Sequence, residues 1–496
     1  PCKGGCPIEQ DIPEYIELCR KGLYGPALKL ITEKNALPFI TGTICAHRCQ
    51  NKCTRNFYEE SVQIRDTKLE AAKKGYNALM ASIRKPAPVA GKKVAIIGGG
   101  PTGIAAAYFL GRAGIATTIF ERENQLGGVP RHVIPAFRIS DEAIDKDVAL
   151  MMQYGVEVKL GAPAPSVDEL KGMGYTHILF AVGAWKAGEL GIEGNVAGVI
   201  GWMKEMKGKV KPCLSGDVVV VGAGNTAMDA ARVAKRMGAR STIVYRRTKK
   251  YMPADEHELQ LAIDEGVNFV ELAAPVKQAD GKLLLNVMKL GEPDASGRRS
   301  PVATGETMEI PCDLVISAIG EKVDSELLKA NGIEVDAKGR PAFETNVAGV
   351  YAAGDATRGP ATVVEGIADA AKFAEIVIGE AHTYEIPEAA YVTKAEAIAK
   401  KATLHCSACA CCEGSRCVDC NTVCENCADS CPNRANVVIK LADGRHEIVH
   451  IDKMCNECGN CTHYCPYASE PCHDKFTLFQ TAEDFVDSKN AGVLFL

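Results

Sequence analysis

The sequence has no long apolar run, no strong net charge and almost no cysteine in its middle. No stretch approaches the ~18 consecutive apolar residues of a membrane-spanning helix, which argues against a membrane partner. The net charge of −5 lacks the basic excess with which nucleic-acid-binding proteins attract phosphates. Between residues 54 and 405 the cysteines are Cys213 and Cys312, far apart in sequence. A redox-active C-x-x-C pair is therefore not expected in this region.

The 22 cysteines are instead concentrated near the two ends, with six within residues 2–53 and fourteen within 406–472. Such bunching favours metal ligation over disulfides and predicts a cytoplasmic protein. With 496 residues, of which 47% are hydrophobic, the chain is long enough for about three domains with sizeable cores. Because it opens on Pro1 and not on Met, we expect it to be a fragment or a processed piece.

A dinucleotide-binding fingerprint follows a short apolar strand, Val94–Ile97. Gly98, Gly100 and Gly103 take the first, third and sixth turn positions, an Ala-rich helix follows, and a second strand ends on Glu121. The first glycine permits the tight turn, the second lets a pyrophosphate approach, and the third lets helix and strand pack closely. The helix N-terminus attracts phosphates, and the acid can accept from a ribose hydroxyl. The pattern predicts a dinucleotide site, with a merely structural glycine turn as the alternative.

A second fingerprint follows the apolar strand Asp217–Val221, and its next strand ends on two arginines and not on an acid. A carboxylate would repel the 2′-phosphate of NADPH, whereas arginine can bind it in bidentate fashion. We therefore predict an NADPH site, with a solvated basic strand end as the alternative. The predicted contacts are Gly222, Gly224, Asn225, Thr226, Ala227, Arg246 and Arg247.

A short strand ending in Gly354-Asp355 comes late in the chain and resembles the second flavin-binding motif of two-dinucleotide flavoproteins. With the two fingerprints it predicts a split FAD domain, residues 89–200 and 318–385, with an NADPH domain, 201–317, inserted into it. Two unrelated nucleotide domains are the alternative. The predicted FAD contacts are Gly98, Gly100, Gly103, Glu121, Gly354 and Asp355.

The N-terminal cysteines lie in a predicted helical domain, residues 1–88. Their spacings are Cys2-x3-Cys6-Pro and Cys45-x3-Cys49-x3-Cys53. Thiolates on short loops, one followed by proline, suit an iron–sulfur cluster, and a zinc ion is the competing interpretation. Cys19 lies in a helical run and is expected in the core.

Beyond a predicted linker, 386–402, residues 403–475 are predicted to form an α+β ferredoxin-like domain with two [4Fe–4S] clusters, followed by a tail, 476–496. The run from Cys455 to Cys465 has the bacterial ferredoxin spacing, in which the fourth cysteine serves the other cluster. One predicted cluster has the ligands Cys431, Cys455, Cys458 and Cys461. The other has Cys420, Cys424, Cys427 and Cys465, with Cys417 as the rival of Cys420. Cys406, Cys409, Cys411 and Cys412 could hold a further cluster with Cys417, or zinc.

The segments PCKGGCPIEQDIPEYIELCRKGLYGPAL and NALPFITGTICAHRCQNKC resemble glutamate synthase small subunits and dihydropyrimidine dehydrogenase. The resemblance implies two [4Fe–4S] clusters. Cys6, Cys45 and Cys49 would serve one, and Cys2 and Cys53 the other, which this chain alone would not complete. With NTVCENCADSCPNRANVVI, the whole chain resembles the flavin-binding C-terminal half of the selenate reductase family.

The predicted fold is thus an α/β two-dinucleotide-binding flavoprotein with iron–sulfur domains at both ends. The predicted function is an NADPH-dependent FAD and iron–sulfur oxidoreductase that passes electrons to a reductase subunit or domain, or to ferredoxin. No catalytic acid or base is predicted. One alternative is a self-contained NADPH:ferredoxin oxidoreductase or transhydrogenase. The other is a zinc-binding scaffold.

Overall fold

A computed structural model describes residues 1–209, 212–293, 299–405, 410–441, 446–465, 469–488 and 490–495. Cys406, Cys409 and the side chain of Cys411 lie outside this description. None of the helices in the described ranges is both long enough and apolar enough to cross a membrane.

The strands, in chain order, are β1 (Lys93–Ile97), β2 (Ala116–Glu121), β3 (Glu157–Leu160), β4 (His177–Phe180), β5 (Lys186–Ala187), β6 (Val196–Gly198), β7 (Asp217–Val221), β8 (Arg240–Val244), β9 (Asn268–Val270), β10 (Ala273–Ala279), β11 (Lys282–Pro293), β12 (Arg299–Pro311), β13 (Leu314–Ser317), β14 (Glu321–Lys322), β15 (Val350–Ala352), β16 (Asn436–Lys440), β17 (His446–Ile451), β18 (Thr477–Phe479) and β19 (Gly492–Leu494).

The helices are α1 (Ile12–Arg20), α2 (Tyr24–Lys34), α3 (Pro38–Ile44), α4 (Arg48–Asn51), α5 (Ile64–Ser82), α6 (Pro101–Arg112), α7 (Gly128–His132), α8 (Asp141–Met152), α9 (Val167–Gly172), α10 (Val199–Lys207), α11 (Asn225–Arg236), α12 (Glu256–Asp264), α13 (Ser325–Ala330), α14 (Asp355–Arg358), α15 (Val363–Ile378), α16 (Lys394–Ala399), α17 (Ala410–Arg416), α18 (Cys420–Val423), α19 (Asn426–Asp429), α20 (Asn460–His463), α21 (Pro471–Asp474) and α22 (Ala482–Asp487).

The chain divides into two compact units. The sheet unit comprises Asn35–Ala46 and Ile83–His382, and the cysteine unit comprises Pro1–Lys34, His47–Ser82 and Thr383–Leu496. The cysteine unit contains residues from both predicted iron–sulfur domains, so this division does not test the predicted limit of either domain.

The first sheet of the sheet unit has the order β15-β4-β1-β2-β3, and all its strands run parallel. Parallel strands need helical crossovers, and the pattern of an apolar strand, a glycine turn and an Ala-rich helix supplies the first of them as α6. Ala95, Ile97, Ile178 and Phe180 form part of its buried core. The late strand β15 returns to this sheet beside β4.

The second sheet has the order β6-β13-β7-β8-β9 and is also parallel throughout. Val218 and Val220 of β7 pack in one buried core, and Val219 and Val221 in another, so both faces of this strand are covered. Strand β6 joins this sheet although it precedes residue 201, the predicted start of the second nucleotide domain.

Between the two sheets, β5 and β14 form a two-stranded antiparallel ribbon in which Ala187 pairs with Glu321. The chain passes from the first sheet to the second after β5 and returns after β14. A three-stranded antiparallel sheet, β10-β11-β12, is attached to the second parallel sheet.

The cysteine unit combines helices from the N-terminal region with a four-stranded sheet, β16-β17-β18-β19, from the C-terminal region. Glu17 of α1 pairs with Lys400 at 2.7 Å, and Lys21 donates to the carbonyl of Ala389 at 2.8 Å. Ala390 and Ala397 are buried, so the predicted linker 386–402 packs as part of this unit.

Candidate functional site

The first glycine turn, between β1 and α6, leaves almost no room for side chains at two of its glycines. Gly98 has φ +108°, and an added Cβ would lie 2.4 Å from the carbonyl oxygen of Ala181. A Cβ on Gly103 would lie 2.0 Å from the carbonyl oxygen of Gly98. Gly100 is different, because its nearest neighbour would be the Cα of Gly128 at 3.8 Å. The open space at Gly100 is where a pyrophosphate could approach the N-terminus of α6.

The segment that begins at Gly127 packs against this turn. Gly127 has φ +128° and donates its N–H to the carbonyl of Gly99 at 2.8 Å. A Cβ on Gly128 would lie 2.7 Å from the Cα of Gly100, so this contact also requires glycine.

Glu121, the last residue of β2, is buried beside the turn. Its carboxylate accepts from the N–H of Gly99 at 2.6 Å and from that of Glu123 at 2.9 Å. Since a carboxylate has about four acceptor positions, it retains the capacity to accept from ribose hydroxyls.

The late Gly354-Asp355 motif lies next to the first turn. Gly354 has φ +68°, and an added Cβ would lie 2.4 Å from the hydroxyl of Thr102, in the first turn of α6. Asp355 accepts from the N–H of Ala361 at 3.1 Å. Burial raises the pKa of Asp355 to about 7, and the nearby carboxylate of Glu321 adds to the shift. The structure therefore brings together the six residues predicted to contact FAD.

Two residues that hold this arrangement were not predicted from the sequence. Asp369, inside α15, accepts from the N–H of Gly354 at 2.8 Å and pairs with Arg358. A carboxylate in the middle of a mostly apolar helix is the sequence signal that could have identified this residue.

The second glycine turn, between β7 and α11, repeats the geometry of the first. Gly222 has φ +139°, and an added Cβ would lie 2.2 Å from the carbonyl oxygen of Ala318. At Gly224 the nearest neighbour of a Cβ would be Pro253 Cγ at 4.0 Å, so this turn is also open. The sixth turn position, equivalent to Gly103, is Ala227, whose side chain is fully buried.

The loop that follows β8 closes over this turn. Asp255 donates its N–H to the side-chain oxygen of Asn225 at 3.0 Å, and Ala254 donates to the carbonyl of Ala223 at 3.0 Å. The predicted residue Asn225 thus positions the loop as well as opening α11.

The two arginines after β8 have different surroundings. Arg246 is exposed, whereas Arg247 is buried and its Nε donates to the carbonyl of Arg299 at 3.0 Å. The strand ends at Val244, two residues before Arg246, because β9 pairs no further than Val270 with Val244.

Glu321, on β14, lies between the two turns and was not predicted. Burial raises the pKa of its carboxyl, and a hydrogen bond with Thr226 opposes the shift. Its charge also acts on Asp355. Glu321 therefore interacts with one predicted residue of each nucleotide site.

Arg138 connects the segment after the first turn to the helices of the second sheet. It pairs with Asp229 on α11 at 2.6 Å and with Glu258 on α12 at 3.0 Å. Burial raises the pKa of Asp229 to about 6, and Arg138 limits the rise.

Four of the five N-terminal cysteines predicted as ligands, Cys2, Cys6, Cys49 and Cys53, lie in the cysteine unit. Cys45 follows α3 in a segment of the sheet unit. A Cβ on Gly5 would lie 3.3 Å from the Cα of Cys49, so the Cys6 loop passes close to Cys49. Cys19 is buried in the core, as expected.

In the C-terminal region, burial raises the pKa of the Cys455 thiol, and the nearby Cys461 and Cys431 add to the shift. These three cysteines are among the four predicted ligands of one cluster. The N–H of Ala435 donates to Cys431 Sγ at 3.2 Å, and that of Glu457 to Cys455 Sγ at 3.3 Å. Backbone N–H groups directed at sulfur are typical of iron–sulfur ligands.

The ligands of the second C-terminal set stay a prediction. Burial raises the pKa of the Cys427 thiol, and the nearby Cys424 adds to the shift. Cys472, which had no predicted role, lies beside Cys461.

Across the described residues, no group of three or more His, Cys, Asp or Glu side chains is placed to hold a single metal ion. The open turns at Gly100 and Gly224 fit the phosphates of dinucleotides, and thiolates with N–H donors fit iron–sulfur clusters.

Two protein-family models match the chain. Pyridine nucleotide-disulphide oxidoreductase matches residues 92–370, and dihydropyrimidine dehydrogenase domain II, 4Fe-4S cluster, matches residues 1–77.

Among characterised sequences, YgfK of Escherichia coli (strain K12), named an oxidoreductase, is 41% identical over the whole chain, which covers 50% of YgfK. The NADPH-Fe(3+) oxidoreductase subunit beta of Geobacter sulfurreducens is 34% identical over 76% of this chain and 63% of its own length. The glutamate synthase [NADPH] small chain of Escherichia coli (strain K12) is 31% identical over 75% of this chain and 87% of its own length. The chain thus spans about half to two thirds of the first relatives and most of the third.

Among solved structures, FprA from Mycobacterium tuberculosis has a TM-score of 0.51 at 20% identity, covering 60% of this chain and 88% of FprA. This likeness concerns the fold alone. The matches confirm the predicted relationship to glutamate synthase small subunits and to dihydropyrimidine dehydrogenase. With a family model matching more than half of its length, the chain belongs to the pyridine nucleotide-disulphide oxidoreductase family and is an NAD(P)-dependent flavin and iron–sulfur oxidoreductase homologous to YgfK.

Proposed function

We propose that this chain is an NADPH-dependent electron-input module with FAD at the first glycine turn, NADPH at the second and [4Fe–4S] clusters as the exit. The observation that carries the proposal is the return of β15 to the first sheet, which sets Gly354 and Asp355 beside Thr102 while the second turn occupies its own sheet. Two sites of this kind in one chain suit a flavin and a nicotinamide cofactor.

When bound, the flavin supplies the conversion of a two-electron hydride donor into single electrons for the clusters. The residues of the chain bind and orient. Gly98 and Gly103 shape the first turn, Gly100 leaves it open, and the N-terminus of α6 offers N–H donors and a partial positive charge.

We assign the choice of nucleotide mainly to Arg246. It is exposed beside the second turn, whereas Arg247 already donates to the carbonyl of Arg299. Tyr245, one residue after β8, occupies the position that the acidic Glu121 has at the end of β2. A carboxylate at that position would repel a 2′-phosphate, and this chain has none there.

The relatives support an exit toward a further subunit or domain. The Geobacter sulfurreducens relative is named a subunit of an NADPH-Fe(3+) oxidoreductase, and the Escherichia coli relative is the small chain of a glutamate synthase. A reductase partner or ferredoxin is therefore the acceptor we propose for this chain, with a self-contained NADPH:ferredoxin oxidoreductase or transhydrogenase as the second candidate. The match of residues 1–77 to a 4Fe-4S domain weighs against the zinc scaffold.

The proposal is tested by mixing the anaerobic full-length protein with NADPH or NADH in a stopped-flow instrument. We expect the flavin absorbance to bleach faster with NADPH, and the clusters then to show reduced signals by electron paramagnetic resonance. A purified protein without flavin, or one reduced equally well by both nucleotides, would refute the corresponding assignment.

The direction of electron flow is tested with Cys458→Ser, which removes a thiolate from the ferredoxin-like run. NADPH should reduce the flavin of this variant at the normal rate, while transfer to a one-electron acceptor should fall sharply. The exposed Cys213, outside both cysteine-rich regions, provides the control variant Cys213→Ser. A Cys458→Ser protein that loses its cluster signal but passes electrons at the full rate would show that the tail is not the relay.

A further inference from the structure

A cavity in the cysteine unit is lined by cysteines from both ends of the chain. Its walls include Cys2 and Cys53 from the N-terminal region and Cys417 and Cys420 from the C-terminal region. The cavity has a volume of about 30 Å³, at least twice the roughly 10–15 Å³ that a single water requires. The four cysteines thus line one cavity that is larger than a single water.

One contact in the wall of this cavity joins the N-terminal and C-terminal regions directly. The hydroxyl oxygen of Thr54 lies 3.1 Å from Cys420 Sγ, within hydrogen-bond distance of sulfur. The rest of the wall is mostly apolar, which limits access of water. These apolar residues are Ile12, Pro13, Ile16, Val62, Ile64 and Val418.

Arg55, which follows Cys53 closely, holds the C-terminal segment in place. Its side chain is 1% exposed and donates to the carbonyls of Lys400 at 2.6 Å, Thr403 at 2.9 Å and Arg416 at 2.8 Å. A buried guanidinium is tolerated only when its donors are satisfied, so these bonds fix where the segment lies.

Arg416, next to Cys417, makes the reciprocal connection. It is fully buried, pairs with Glu413 at 2.7 Å and donates to the carbonyls of Glu60 and Ser61. Glu413 in turn accepts from the N–H of Gln63 at 2.8 Å. Each arginine thus crosses from one chain segment to the other, and the two segments carry the cysteines of the cavity.

Zinc and an iron–sulfur cluster arrange their thiolates differently. A tetrahedral zinc ion binds each sulfur at about 2.3 Å, which places the sulfurs about 3.8 Å apart. A cuboidal cluster binds each thiolate at a different iron. The match of residues 1–77, which include Cys2 and Cys53, to a 4Fe-4S domain favours the cluster.

We propose that Cys2, Cys53, Cys417 and Cys420 together hold one [4Fe–4S] cluster, so that opposite ends of the chain complete a single site. The N-terminal region contributes Cys2 and Cys53, and the C-terminal pair Cys417-x2-Cys420 contributes the other two ligands. The inference rests on the proposed function only in treating these thiols as cluster ligands. It moves Cys420 out of the predicted ferredoxin-like set and leaves Cys424, Cys427 and Cys465 there.

The test is the iron and acid-labile sulfide content of the anaerobically purified full-length protein. Cys53→Ala, Cys417→Ala and Cys420→Ala should each lose about four iron atoms per chain, the content of one cluster. The double variant Cys53→Ala/Cys420→Ala should lose no more than either single variant. In contrast, Cys420→Ala combined with Cys424→Ala should lose about eight.

Full iron retention by both Cys417→Ala and Cys420→Ala would overturn the proposal. It would equally be overturned if Cys53→Ala and Cys420→Ala gave additive losses, since the two residues would then serve different clusters. Cys213→Ser is the matched control and should keep all its iron. Flavin reduction by NADPH, measured on the same samples, tests the proposed function separately, because iron content does not depend on it.

A milder variant keeps the test informative if a cysteine variant fails to fold. Thr54→Val retains all four thiols and removes the hydroxyl beside Cys420. We expect full iron content and a more negative reduction potential for one cluster, because a hydrogen bond to sulfur favours the reduced state. Unchanged potentials for every cluster would contradict the placement of Cys420 at this site.

Discussion

The first and second glycine turns have nearly the same backbone but different side chains around it. Gly98 and Gly222 both have positive φ, +108° and +139°, and at both an added Cβ would lie within 2.4 Å of a carbonyl oxygen. Gly100 and Gly224 are both open, with no neighbour closer than 3.8 Å to an added Cβ. At these two positions the backbone of the two turns is therefore nearly the same.

The differences begin at the end of the second strand in each glycine-turn motif, where β2 ends on Glu121 and Tyr245 directly follows β8. Phe120 pairs with Ile97 and Val244 with Val221, so Glu121 and Tyr245 occupy equivalent positions. Glu121 accepts from the N–H of Gly99 in the turn, whereas the Tyr245 hydroxyl donates to the carbonyl of Tyr251 at 2.8 Å. Under the proposed function, two turns of similar backbone would serve different dinucleotides, with discrimination at the strand end.

The most damaging change we expect is valine at the open glycine of either turn. Gly100→Val should yield protein without flavin, because the side chain would fill the space for the pyrophosphate. Gly224→Val should keep its flavin but lose reduction by NADPH. Flavin absorbance of the purified variants and stopped-flow reduction measure both effects. Retention of full flavin by Gly100→Val would show that the first site is wrongly assigned.

Removal of Arg246 should change nucleotide selectivity without affecting flavin content. A charge-assisted contact contributes roughly 1.5–3 kcal/mol, so Arg246→Ala should lower the preference for NADPH about ten- to a hundred-fold. Arg247→Ala should have a smaller effect, because this side chain already donates to Arg299. The measurement is kcat/KM of flavin reduction with each nucleotide. Unchanged selectivity in both variants and in the double variant would contradict the assignment.

Exchange of the residue at the sixth turn position, Gly103 or Ala227, should affect the stability of the two domains unequally. Gly103→Ala places a Cβ 2.0 Å from a backbone oxygen and should destabilise the first domain by about 1–3 kcal/mol. Ala227→Gly only removes a helical methyl group and should cost about 1 kcal/mol. Denaturant unfolding, followed by flavin release and by the fluorescence of buried Trp202 in the second core, separates the domains. Equal losses of unfolding free energy in Gly103→Ala and Ala227→Gly would contradict the expected difference between the two turns.

The smallest expected effect concerns an ion-pair cluster in the second domain. Hydrogen bonds from Arg236 and Arg232 lower the pKa of Glu265 to about 2. A depressed pKa stabilises the fold above the unfolded value near 4.5, and this contribution is lost as the pH falls from there toward 2. Glu265→Gln should therefore destabilise the protein by about 1 kcal/mol at pH 7 and by less at pH 4. A difference between wild type and variant that grew on acidification would contradict this cause.

The local parts of both sites could be predicted from the sequence. Strand, turn and helix are adjacent in the chain, and Glu121 ends β2 as expected. The late Gly354-Asp355 motif was also identifiable, since a short apolar strand that ends in Gly-Asp is a short-range pattern.

Features that depend on distant contacts could not be predicted. The burial of Arg247 results from its bond to Arg299, on a strand whose pairing has no signal near residue 247. Glu321 lies between the turns only because β5 and β14 pair. Likewise, Cys417 and Cys420 meet Cys2 and Cys53 through the buried Arg55 and Arg416, and no spacing rule connects residues more than 360 positions apart.

The cavity built from both chain ends has a consequence for biosynthesis. A nascent chain grows at about 5–20 residues per second, so Cys420 leaves the ribosome about 20–70 s after Cys53. During that interval the N-terminal thiols lack two of the cysteines that share their cavity. A chain that stops before residue 417 never acquires them, so cluster loading at this position would report that translation has passed residue 420.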